Sequence, residues 1–420
     1  YLVMYKIHNR CRVCHSKDLE TYIDLGQLPL SNNLCKTRDE NPIRYPLKVM
    51  LCKECGLSQL SITINPEILF FHFVYRSSIN KGYVDHCRKM AKDLKKEYNL
   101  SPDSFIIDIA GNDGALLNEF KEEIGLHVLN IDPAANLIPY CHQKGIPHWA
   151  TFWGEEAAHM VLTRYAGASK SGEDYQDPRA DIITATNVFA HVDDVREFIE
   201  AAKMVLKPEG VLILEFPYLI DFIENNEFDT IYFEHLSYFS IWPLILLCNE
   251  KGLKVMKVER QDIHGGTVRV HIGNGRVNAA SVKEYLQREI LGDYWKIEPY
   301  KHFAEEAFET IMNFRDNILQ LWAEGNIIAG FAASAKGNTL LNCAGISHEF
   351  EYIVDQTPEK IGMFSPGTGI EIVDIDRLRL SPPDYLVILS WNFAKEIKEK
   401  CRAAGYKGKF IIPIPEFKII

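Results

Sequence analysis

Four cysteines stand in two Cys-x-x-Cys pairs, Cys11-Arg-Val-Cys14 and Cys52-Lys-Glu-Cys55, with 37 residues between them. Thiolates on two such knuckles close a tetrahedral Zn(II) site that leaves no open position for an activated water, so the expected metal is structural. A second chemistry-bearing stretch is Phe228-Asp-Thr-Ile-Tyr232-Phe-Glu234-His235. Imidazole is the usual general base near neutral pH. Read as extended chain, this stretch puts Tyr232 and Glu234 on one face and His235 on the other. His191, which closes Asn187-Val-Phe-Ala-His191, and His264, in His264-Gly265-Gly-Thr, are further candidates near expected strand ends. A third stretch, Phe105-Ile-Ile-Asp108-Ile-Ala-Gly111-Asn112-Asp113-Gly114, joins an apolar run of strand length to a turn and a helical segment. Glycine in such a turn lets backbone approach a ligand closely. Asp132 ends the next apolar run 18 residues later, where a carboxylate can hold a ribose diol.

These residues need a scaffold. After a helix over 84–98, β-type runs recur at 106–109, 128–131, 180–187, 211–216, 254–259 and 267–272, with helical segments between the earlier ones. That alternation predicts a doubly wound, mainly parallel sheet whose last strands close antiparallel, with the ligand crevice at the strand carboxyl ends. Asp108 and Asn187 end neighbouring strands of that crevice. Lys207-Pro208-Glu209-Gly210 reads as a turn into a strand, and residues 166–179 as a polar, mobile loop. Further on, Ala304, Phe308, Ile311, Phe314, Ile318 and Leu321 form one apolar helical stripe closed by Gly325. Strand runs near 328, 352, 385 and 410 then predict a second, smaller α/β unit. Its Ser334-Ala-Lys336-Gly337 turn opens a helix, and Ser365-Pro-Gly-Thr368 is a further turn. The expected organisation is a zinc-binding unit at 1–80, a ligand-binding α/β domain at 81–275 and a second, smaller α/β domain at 280–420. The aromatic run Phe70-Phe-His-Phe-Val-Tyr75 lies at the first seam.

With 420 residues, 47% of them apolar and a formal net charge of −11, the chain has the composition of a soluble multidomain protein. The negative charge argues against nucleic acid or an anionic membrane as partner. No run of eighteen apolar residues occurs, and residues 1–5 are too short for a signal core, so a cytoplasmic protein is expected. A monomer is the expected state, although no residue pattern in the sequence sets it.

The absence of Gly-x-Gly-x-x-Gly, together with the Leu206-Lys-Pro-Glu-Gly-Val211 turn and the antiparallel close, resembles the class I S-adenosylmethionine-dependent methyltransferase fold. That resemblance implies that Gly111, Gly114 and Asp132, with Asp108, Asn112, Asp113 and Asn187 around them, receive the donor. The full succession is Cys-x-x-Cys twice, Asn112-Asp113-Gly114, Asn187-x-x-x-His191, Tyr232-x-Glu234-His235, His264-Gly-Gly, Ala335-Lys336-Gly337 and Pro366-Gly-Thr368. It is similar to the family of sugar-nucleotide C-methyltransferases that branch deoxysugars, and it runs through nearly the whole chain.

The resemblance implies a zinc ribbon, an S-adenosylmethionine domain and a Rossmann-like cap, with a nucleotide-linked 4-keto-6-deoxyhexose (dTDP, GDP or CDP) between the last two. It makes His235 the base, lines the sugar with Tyr75, His191, Tyr232 and Glu234, and gives substrate contacts to His264, Gly265, Lys336, Gly337 and Thr368. The expected reaction adds a methyl to C3 through an enolate. The alternatives are O- or N-methylation of a sugar nucleotide, or a non-catalytic zinc-ribbon adaptor. The chain departs from the family at Ala110, where glycine is usual, and at Ser334, where the family has proline.

Overall fold

The computed structural model describes residues 4–71, 76–123, 125, 127–164, 177–261 and 266–420. Tyr75, His264 and Gly265 lie outside the described residues, as does most of the loop expected at 166–179.

Its central sheet has seven strands in the spatial order Lys254–Gln261, Thr267–Gly273, Leu206–Pro217, Ala180–Thr186, Ile106–Ile109, Val128–Ile131 and His148–Trp149. Thr267–Gly273 runs antiparallel to both of its neighbours, and the other pairings are parallel. The chain enters at Ile106–Ile109, builds outward to His148–Trp149, then returns to Ala180–Thr186 on the opposite side of the first strand. The carboxyl ends of those two adjacent strands therefore form the switch point where a ligand crevice opens.

Continuous apolar runs arise because both faces are covered. Ile106, Ile182 and Ile213 pack with Met90, Leu94, Leu117 and Phe120 on one face, whereas Ile107, Ile183 and Leu212 pack with Val161, Ile199 and Val205 on the other. The expected Lys207–Gly210 turn lies inside the Leu206–Pro217 strand, as an irregularity between the pairs Leu206 with Ala180 and Val211 with Ile182.

A four-stranded antiparallel sheet in the order Ser237–Tyr238, Ser58–Leu60, Arg44–Cys52, Leu19–Pro29 forms the amino-terminal module. Its edge strand comes from just beyond His235. The carboxyl-terminal sheet has six strands in the order Ile372–Val373, Phe350–Val354, Ile328–Phe331, Tyr385–Ile388, Lys409–Ile412, Lys418–Ile419, parallel except for the last.

The long helix Glu298–Ala323 buries Tyr300, Phe303, Ala304, Ala307, Ile311, Phe314 and Ile318. Phe308, placed in the buried stripe by spacing alone, is 44% exposed, because Tyr22 and Phe222 receive the face that carries Tyr300 and Phe303. One contiguous core joins Val49 and Leu51 of the first sheet, Phe228, Ile231, Phe233 and Leu236 of the histidine segment, and Leu340 and Leu341 of the last unit. Burying each such side chain stabilises by about 1.5–3 kcal/mol, which holds a segment with little regular structure of its own. Among the described residues, no helix is long and apolar enough to cross a membrane.

Candidate functional site

The loop after Ile106–Ile109 adopts left-handed backbone at Ala110 (φ 51°), Asn112 (φ 53°) and Gly114 (φ 77°). Between them Gly111 admits no side chain, since a Cβ would stand 2.5 Å from Asp108 Oδ2 and 2.7 Å from Asn130 Oδ1. Asn130 clamps the loop by accepting from Gly111 N–H at 3.1 Å and donating to Asn112 O at 2.9 Å. Asp132 accepts the Asn112 and Ala134 N–H groups at 2.9 and 2.8 Å, one on each oxygen. Each oxygen keeps a lone pair for a further donor such as a ribose hydroxyl.

Asp108 is buried beneath Gly111 and accepts from Thr184 Oγ1 at 2.6 Å. Burial, with Asp132 and Glu215 adding like charge, pushes its pKa up to about 7. Asp113 instead faces Ser78, whose N–H and hydroxyl both donate to it, and Lys144 at 3.4 Å. Asn187 follows directly on Ala180–Thr186 with φ 57° and donates its N–H to Glu215 O at 2.8 Å.

His191 closes a short 3-10 turn, Phe189–His191, that leaves this switch point. Its ring stacks on His235 at 5.1 Å between centroids and 23° between planes, and on Phe70 at 5.8 Å and 11°. His235 Nδ1 lies 2.9 Å from the Thr230 carbonyl, an acceptor only, so in the neutral ring Nδ1 carries the proton. Nε2 then offers its lone pair, and the Tyr232 hydroxyl donates to it at 2.7 Å.

Burial first, then His191 and Lys336, hold the His235 pKa well below that of an ordinary imidazole. Burial also lowers that of His191 to about 4. Two neutral imidazoles and a phenol thus share one spot at the crevice.

The extended reading of Tyr232–His235 does not hold. His235 N–H donates to Tyr232 O at 3.0 Å, closing a turn that brings their side chains together. Glu234 is sent the other way, where its Oε1 accepts from Asn32 Nδ2 of the amino-terminal module at 2.8 Å. Lys336 lies 3.5 Å from Glu227 Oε2, 4.0 Å from Asp229 Oδ1 and 4.9 Å from the centre of the Trp391 ring. It joins the last unit to the turn beneath His235, and Thr339 adds a hydroxyl bond to Ile231 O at 3.2 Å.

Gly337 accepts no side chain, because a Cβ would meet Leu389 Cβ at 2.7 Å, and its N–H donates to Ser334 Oγ at the helix start. Thr368 donates to Ser365 O at 3.4 Å within its own turn. Buried polar atoms with no hydrogen-bond partner among the described residues occur along the segment 229–238 that carries His235: Asp229 Oδ1, Thr230 Oγ1, Glu234 Oε2, Ser237 Oγ and Tyr238 OH.

Sequence reasoning missed Thr230, which sets the His235 tautomer through its backbone, and so leaves no side-chain signal. It also missed Asn130, although an amide inside the apolar run Val128-Leu-Asn-Ile131 is a readable one.

The Sγ atoms of Cys11, Cys14, Cys52 and Cys55 lie within 4.8 Å of one another, with Cys11 to Cys55 and Cys14 to Cys52 both 3.5 Å. Sulfurs at the corners of a Zn–S tetrahedron of about 2.3 Å are about 3.8 Å apart, so the donor set fits Zn(II). The knuckle is shaped for it: Val13 and Cys14 N–H groups point at Cys11 Sγ, and His15 and Gly56 take left-handed backbone at the turns.

Three family models match: a zinc binding domain over residues 11–70, a methyltransferase domain over 83–258 and a C-methyltransferase C-terminal domain over 262–415. The chain is 30% identical over 419 residues to C-methyltransferase NovU of Streptomyces niveus, spanning 98% of this chain and 97% of that protein. Among solved structures, magnesium protoporphyrin IX methyltransferase from Synechocystis PCC 6803 aligns at 11% identity and a TM-score of 0.34, over 46% of this chain and 84% of that one. A SAM-dependent methyltransferase from Aquifex aeolicus aligns at 17% and 0.31, over 43% and 88%.

Proposed function

Since the chain belongs to the S-adenosylmethionine-dependent C-methyltransferase family, we propose that it methylates C3 of a nucleotide-linked 4-keto-6-deoxyhexose, with His235 as the base. The carrier nucleotide in this reading is dTDP, GDP or CDP. The observation that carries it is the His235 ring itself: Thr230 O fixes Nδ1–H, and Nε2 is a neutral lone pair beside the Tyr232 hydroxyl.

A carbon next to a ketone is acidic enough for such a base, provided that a donor meets the oxyanion that forms. Nε2 takes the C3 proton, and the C–H electron pair becomes the C3–C4 double bond of an enolate. The Tyr232 hydroxyl, released from Nε2 as the proton arrives there, turns its hydrogen to the developing O4 oxyanion. His191, stacked on His235, keeps that ring in place. When bound, S-adenosylmethionine supplies an electrophilic methyl for the enolate carbon. Asp132, the Gly111–Gly114 backbone and Asn187 are the residues that hold it in this reading. The polar atoms of Asp229, Thr230, Ser237 and Tyr238 offer a polyhydroxylated sugar its hydrogen bonds, and Lys336 with the Thr368 turn stands on the side of the last unit.

Mass spectrometry of the product from a C3-deuterated 4-keto-sugar nucleotide tests this. A gain of one methyl with loss of the deuteron is the expected result. Methyl gain with the deuteron retained excludes carbon methylation at C3 and overturns it.

A further inference from the structure

Asp193 follows His191 by two residues, and its carboxylate gathers side chains from the amino-terminal module. Oδ1 accepts from the Thr63 hydroxyl at 2.5 Å and lies 2.9 Å from His8 Nε2 and 3.3 Å from Arg12 Nε, while Oδ2 lies 3.3 Å from Lys6 Nζ. Arg12 belongs to the Cys11–Cys14 knuckle, and its side chain is 1% exposed. Its other donors go to Leu60 O and Thr63 Oγ1 at 2.9 and 2.8 Å. A guanidinium buried this deeply keeps its carboxylate partner, because removing either ion strands the other in a low-dielectric site.

The same module also holds the loop that carries the second ring. Two residues after His235, Ser237–Tyr238 pairs antiparallel with Ser58–Gln59. Leu60 N–H donates to Leu236 O at 2.9 Å, and Asn32 holds Glu234. Each ring-bearing loop is thus fastened to one small metal-organised unit within two residues of its histidine.

We propose that the amino-terminal module sets the spacing of the His191 and His235 rings, and that Asp193 is a positioning residue for the transfer. The role rests on the reading of His235 as the base. It gives the zinc-organised unit a part in turnover although it offers no open coordination position. The module is the fixed wall against which the two loops are registered, and a displacement of about 1 Å at a reacting group can lower a rate by about 100-fold.

The test compares Asp193→Ala and Asp193→Asn with Arg196→Ala in the full chain. Arg196 is another contact of the same knuckle, bonded to Val13 O and Glu250, and it touches neither ring. Hydrogen–deuterium exchange is expected to quicken over 187–195 and 230–238 in both Asp193 variants and not in Arg196→Ala, with one zinc per chain retained by metal analysis. The kcat for methyl transfer is expected to fall about 10- to 100-fold with KM for the donor within about twofold. The asparagine, which keeps the shape of the side chain, guards against a variant that fails to fold.

Unchanged exchange in the Asp193 variants overturns the proposal, as does an equal effect of Arg196→Ala, which would mean general docking of the module. If the wild-type protein transfers no methyl to a keto-sugar nucleotide while the exchange differences appear, the substrate reading fails and the fastening stands.

Discussion

Lowering the pH should cost this protein stability through His191 in particular. Burial moves the His191 pKa from 6.5 to about 4. The unfolded chain therefore takes up a proton near pH 6.5, while the folded ring refuses it until about pH 4. The contribution of the neutral ring is complete above 6.5 and is lost as the pH falls through that window. At about 1.4 kcal/mol per pH unit the whole gap is worth about 3 kcal/mol, and about 2 kcal/mol of it is already gone at pH 5. His191 as a residue is only partly buried, so these are upper values.

His191→Phe keeps an aromatic ring between Phe70 and His235 and cannot protonate. Urea melts of both proteins at pH 7.5 and 5.0, followed by circular dichroism, should show the wild type losing about 2 kcal/mol more than the variant. His235, held neutral by burial above all, is present in both proteins. Equal losses in the two proteins, or a greater one in the variant, would refute the picture of a neutral, desolvated stack.

Replacing His235 by Ala should abolish methyl transfer, while calorimetry still shows S-adenosylmethionine binding; measurable turnover would remove it as the base. Tyr232→Phe deletes the hydroxyl 2.7 Å from Nε2 and should lower kcat by about 100-fold, the scale of one lost oxyanion donor, in single-turnover assays. Ala110→Gly relieves an L-residue held at φ 51°. Relief of about 1–2 kcal/mol, less about 0.4–1 kcal/mol for the added freedom of the unfolded chain, predicts a net gain of about 1 kcal/mol and a higher melting temperature. Cys52→Ser breaks the four-thiolate donor set and should unfold the first module, read as lost zinc by metal analysis and faster exchange over residues 11–64.

Local chemistry made much of this protein readable from its sequence. The apolar runs near 106, 128, 180 and 211, with helical segments between them, dictate a doubly wound sheet because strands covered on both faces must be apolar throughout. The two Cys-x-x-Cys knuckles dictate their own metal geometry, and the glycine turn after Ile109 marks where backbone is crowded.

What lay between distant residues was not legible. The Tyr232–His235 turn, the departure of Glu234 toward Asn32, 202 residues away, and the hold of Arg12 on Asp193, 181 residues away, leave no periodic trace. Phe308 shows the same limit within one helix, where spacing admits two faces and only the neighbours choose which is buried. Residue types and short-range order were decided by the chain itself. Which imidazole meets which hydroxyl was decided by packing sheets of all three units around a shared core, because desolvation and contact energies depend on what comes to lie opposite.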